Sequence, residues 1–319
     1  MKSKHLVGLL TSLLWSVLFA TAQIPAEFWV IPANDPRFPT SGSGESWDTP
    51  MHFSVGQLNT WMSDTGPLDI TVNFLPSTKV YEIFQSGQQP RLVIADTRAN
   101  KRVKLIGKLF DGYDANGGGV GPSRPRPTLK MSNTLIYQGV WGVSGYEDKL
   151  LRSGRWVDNT DPNKPNRTSY IDRFAMENLI LDGNFPELGV GTSAANATGY
   201  KLFALDVWAK KGLFSNLLIK NFGVVGAVPG NAFNAAGTET FPVMFTTFDD
   251  GQVPTRNEDG TVTGGDTVPQ AAWLVDRVDV SDFHATHGGY ATLVMAQVYT
   301  LANNLRADLS GSSLLSVAG

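Results

Sequence analysis

The chain has 319 residues, a formal net charge of −3 and no cysteine. That length allows one large domain or two ordinary ones with ample core. The mildly acidic balance leaves no basic stripe for neutralising nucleic-acid phosphates, but an anionic polymer held by a few local Lys and Arg residues stays open.

The first 22 residues read as a secretory signal peptide: a basic head MKSKH, the apolar run LVGLLTSLLWSVLFA and the small-residue site Ala20-Thr21-Ala22. Gln23 is then the first mature residue; a retained anchor is the alternative. No later apolar run is long enough to span a bilayer. An exported protein without disulfides needs a large core, which fits a bacterial protein placed outside the cell, in the periplasm or on the surface.

Residues 23–50, rich in Pro, Gly and Ser, read as an extended lead-in. In SVGQLNTWMSDTG, Ser54 and Gln57 have capping-box spacing, and Val55, Leu58, Trp61 and Met62 share one face. A helix is expected over about 54–63. The period then changes to two. DITVNFL (69–75), KVYEIF (79–84), RLVIA (91–95) and VKLIGKLF (103–110) are expected strands. Loops are expected over 114–127, 158–169 and 251–270. Within Phe203–Gly223 the pattern favours two strands joined by a turn at Lys210-Lys211-Gly212, because one helix would hold that glycine at its centre.

Three segments resemble one another: NLILDGNF from Asn178, NLLIKNFG from Asn216 and RVDVSDFH from Arg277. Superposed, Leu179, Leu217 and Val278 coincide, as do Leu181, Ile219 and Val280. Units that cannot bury an apolar face singly must stack. This pattern resembles the right-handed parallel β-helix proteins of the pectate-lyase-like superfamily. The resemblance implies an all-β solenoid over 51–304, with an N-terminal capping helix, long inserted loops and an elongated saccharide-binding surface. Chance similarity between strands of a β-sandwich, which antiparallel pairing would reveal, is the alternative. Residues 305–319 form a tail: either 305–317 caps the last layer, or the chain is a shortened form of something longer.

Two chemistries suit such a protein. Hydrolysis needs two carboxyl groups about the scissile bond. Asp249 and Asp250 are the best local pair, or else simply an Asp-Asp-Gly turn. A resemblance to polygalacturonase-type hydrolases, which carry paired aspartates and then Gly-His-Gly, adds His287. Here the sequence is Thr286-His287-Gly288, and the later basic motif has no match. His284 and His287 bonding backbone at a corner is the plain reading. β-Elimination from a uronic acid instead needs a base and cations. Lys210, Lys211, Lys220 and Arg277 are candidates, or else solvated surface. Trp208, Trp273, Tyr290 and Tyr299 suit stacking on sugar rings or packing under loops. No metal-ligand pattern is present and no cofactor is assigned. Calcium between loop carboxylates stays open. The expected partner of a monomer is polysaccharide, with lyase or hydrolase activity undecided; the competing reading is a non-catalytic surface, adhesion or structural protein.

Overall fold

The computed structural model describes residues 26–83, 92–94, 100–131, 147–153, 171–184, 198–227, 239–240, 243–246, 255–256, 262–263, 272–286, 290–291, 294–296 and 300–308. Among these, 17 strands join one strongly curled sheet. All its pairings are parallel except that of Thr198–Leu202 with Gly223–Ala227. Parallel pairing excludes the sandwich alternative and is compatible with a β-helix.

The central stack runs Ala26–Ile31, Asp69–Phe74, Arg102–Gly107, Ile171–Glu177, the second half of Thr198–Lys220, Ala272–Ser281 and Thr300–Asp308. Period-two alternation explains it. Val72, Leu105, Met176, Phe214 and Val275 occupy one register column and all are buried. A second buried column holds Tyr81, Leu129, Leu181, Ile219 and Val280. The sequence superposition of Leu181, Ile219 and Val280 is therefore a physical register. The Phe214 ring sits 5.9 Å from Phe174 and 5.1 Å from Trp273, so an aromatic file threads three layers.

Strand direction changes at a column of left-handed corners. Asn178, Asn216, Arg277 and Asn304 have φ of 58°, 52°, 54° and 52°. Asparagine tolerates this region because its short side chain bonds locally. Here Asn216 Nδ2 donates to Asn178 Oδ1 at 2.8 Å, linking successive corners. The expected turn at Lys210-Lys211-Gly212 is absent. The strand Thr198–Lys220 stays extended through these residues and merely changes partners. Pairing of Lys211 with Arg173 on one side and Ala272 on the other holds it straight. Gly212 is needed for packing: a Cβ there would lie 2.1 Å from the Trp273 ring.

The helix forms at Val55–Trp61, with the Ser54 side chain accepting from the Gln57 backbone N–H. Its apolar face joins the core, and Trp61 stacks on Phe28 at 3.9 Å. The fully buried Lys101 donates its Nζ protons to the carbonyls of Trp61, Ser63 and Pro67 at 3.1, 3.3 and 2.6 Å. One ammonium thus satisfies the end of the helix and the turn beyond it.

Three further regions differ from expectation. Ala26–Ile31, inside the lead-in, is a full strand of the sheet. The glycine-rich run after Asp114 does not remain a loop: Phe110–Tyr113 and Gly119–Ser123 pair as a hairpin. Asp114 Oδ1 closes its turn by accepting from Asn116 N and Gly118 N, both at 2.8 Å. In the tail, 305–308 continues the strand begun at Thr300. The expected loop 158–169 lies outside the described residues, and of 251–270 only Thr255–Arg256 and Val262–Thr263 are described, as a short antiparallel ladder.

Arginine at the third corner breaks the asparagine column. Arg277→Asn should raise the urea unfolding free energy by about 1 kcal/mol, and Asn216→Ala should lower it by at least as much.

Candidate functional site

The strands of the central stack present every second residue to the outside. One outer register column reads Asp69, Arg102, Arg173, Lys211, and the next reads Thr71, Lys104, Ala175, Leu213. Together they line a groove of about 350 Å³ whose floor is Ala175, Leu213 and backbone. Four cations from three successive strands therefore face one opening.

Their partners are unequal. Arg102 lies between Asp69 at 3.6 Å and Asp172 at 3.2 Å, and Arg173 reaches Asp172 at 3.6 Å. Neither Lys104 nor Lys211 forms an ion pair among the described residues. Like charges directly opposite on neighbouring strands destabilise a sheet, so this column costs stability that the two aspartates offset only in part. Another outer column shows the contrasting arrangement: Glu82, Lys130, Asp182 and Lys220 alternate in sign. Its Lys220–Asp182 separation is 3.5 Å.

The groove gathers one residue chosen from sequence, Lys211, and three that sequence reading missed, Arg102, Lys104 and Arg173. The one signal was a dense basic run from Lys101 to Lys108, read only as strand. Lys210 is half-buried beside Lys211 but does not line the groove. Arg277 sits at its corner, bonded to Asp276 at 3.0 Å and to Ser215 Oγ at 3.4 Å, away from the groove. Trp273 is no sugar platform: it is buried and its indole N–H donates to the Ala209 carbonyl at 3.2 Å. The backbones of Trp208 and Tyr290 lie in strands, while their side chains fall outside the described set. Asp249, Asp250, His287 and Tyr299 lie outside the described residues altogether.

Two other polar regions were compared. A cavity of about 450 Å³ beside the helix carries Glu82 as its one charged wall. The cavity of about 320 Å³ around Asp35, Arg37, Asp111 and Arg124 is internally neutralised. The buried Asp35 carboxylate accepts from Arg37 N, Nε and Nη2 and from Ser77 Oγ at 2.9, 3.1, 2.9 and 2.6 Å. Arg124 clamps Asp111, with Nη2 at 2.7 Å from Oδ2. This network fastens the segment after the first strand to Ser77 and to the hairpin. Nearby, Lys108 stands over the rings of Trp29 and Tyr113 at 4.9 and 5.1 Å, and burial pulls its pKa down. Among the described residues no group of three or more His, Asp or Glu side chains could hold a metal ion, and no helix is long and apolar enough to cross a membrane.

No family model, curated protein or solved structure matches this chain. Function has to be read from the groove itself.

Burial pushes the Asp35 carboxyl up, but its bonds to Arg37 and Ser77 outweigh that and hold it at about 2, against 3.8 ordinarily. A carboxyl depressed on folding contributes stability that is present above its unfolded value and lost as pH falls towards its folded one. Asp35→Asn should therefore remove about 2 kcal/mol at pH 7 and flatten the loss between pH 5 and pH 2, measured by urea unfolding across pH. In the groove, Lys211→Gln should raise stability by about 0.5 kcal/mol at low salt. That gain should vanish at high salt, where exposed charges are screened.

Proposed function

We propose that this chain is an exported right-handed parallel β-helix protein that binds an acidic polysaccharide across its strands. The helix Val55–Trp61 covers the first layers in this reading. The observation that carries it is the groove itself: Arg102, Arg173 and Lys211 stacked in register with Lys104 beside them. Successive parallel strands stand about 4.8 Å apart, a spacing close to one pyranose of an extended chain, so each layer meets a new sugar. Ala175 and Leu213 give that chain an apolar floor, and the cations neutralise uronate carboxylates.

Cleavage by β-elimination is the second reading, favoured by the same cations. Neutralising the uronate carboxylate acidifies the adjacent C5 proton, and an unpaired lysine beside an arginine is a suitable base. The hydrolytic reading rests on Asp249, Asp250 and His287 alone. A non-catalytic surface or adhesion protein would use the groove for binding only.

The deciding experiment incubates the mature protein with polyuronates and with neutral polysaccharides, following binding by calorimetry and product by ultraviolet absorbance. Binding confined to the polyuronates supports the proposal, and equal binding to neutral polymers overturns it. Unsaturated product identifies a lyase. Replacing Lys104 and Arg173 together by Gln should weaken polyuronate binding at least about tenfold. It should also lower the salt dependence of the binding constant.

A further inference from the structure

We infer that the groove reads a fixed length of polymer, three consecutive anionic sugars, and gains nothing from a fourth. This rests on the reading of the groove as an acidic-polysaccharide site and goes beyond it by counting subsites.

The count follows from register. The cationic column begins at Arg102, continues at Arg173 and ends at Lys211. Before it the same column holds Asp69, which would repel a fourth anion. After it the register position belongs to Ala272. The adjoining column changes character at the same layer: beyond Lys104, Ala175 and Leu213 it continues with Leu274, which is 37% exposed, and Leu301, 58% exposed. The outer face past Lys211 is thus apolar where an anion would have to lie. Both ends of the window are set by side chains on strands, whose spacing the backbone ladder fixes, so its length does not depend on a loop.

The test titrates a series of oligouronates, from the disaccharide to the hexasaccharide, into the full-length mature protein at constant salt. Binding should tighten about fivefold from two to three sugars, the increment of one partly exposed charge pair. From three to six it should rise only by the statistical factor for sliding. Lys211→Gln, an exposed position whose fold is checked by circular dichroism, should move the break from three sugars to two. Lys79→Gln makes the same charge change at an exposed site outside the groove and should leave the break in place. Affinity that keeps climbing fivefold per sugar beyond three overturns the window, as does a break that ignores Lys211→Gln, while either leaves the acidic-polysaccharide reading intact. If no oligouronate of any length binds, both fall together.

Discussion

Everything in this molecule depends on keeping its parallel strands in register. A single layer offers only a few apolar side chains and cannot bury them alone; the core exists because Val72 lies against Leu105, Leu105 against Met176, Met176 against Phe214 and Phe214 against Val275. A slip of one residue would turn each inward column outward. The left-handed corners guard against such a slip. Each fixes where one face ends and the next begins, and the Asn216–Asn178 bond ties one corner to the next.

The same constraint makes the outer face an instrument. Because the ladder holds neighbouring strands at a constant distance, side chains at equal register positions form rulers across the sheet. One ruler alternates in sign and supports the fold. The other gathers Arg102, Arg173 and Lys211 against their mutual repulsion, an arrangement that folding alone does not favour. A site that opposes local stability is where binding chemistry is expected to reside.

Sequence reveals local pattern better than long-range register. The match between Asn178–Phe185, Asn216–Gly223 and Arg277–His284 was legible because buried positions alternate strictly and the corner residue is Asn in two cases. The bend at Asn216 was hidden behind Lys210-Lys211-Gly212, whose polar and flexible character suggests a turn. Two flanking strands and the Trp273 ring over Gly212 decide otherwise. The groove was mostly illegible. Arg102 pairs with Arg173, 71 positions on, and Arg173 with Lys211, 38 on. No periodicity links such unequal intervals, so three basic residues in separate strands looked unrelated. The hairpin after Phe110 escaped notice because its second strand is built from Gly119, Val120, Gly121 and Pro122, residues that advertise a loop.

Those unequal intervals also bear on how the chain reaches its fold. Trp273 meets Thr300 after 27 residues and Asp69 meets Arg102 after 33, whereas Arg102 must wait 71 residues for Arg173. Loop-closure entropy grows only with the logarithm of length, so the final stability hardly registers the difference. Rates do register it, because distant contacts must be found before they reward the search. Two nuclei, one near each end, should therefore form early, and the join between Arg102–Gly107 and Ile171–Glu177 should be the slow event. The strand that completes that join also brings Arg173 between Arg102 and Lys211, so the groove is assembled late in folding.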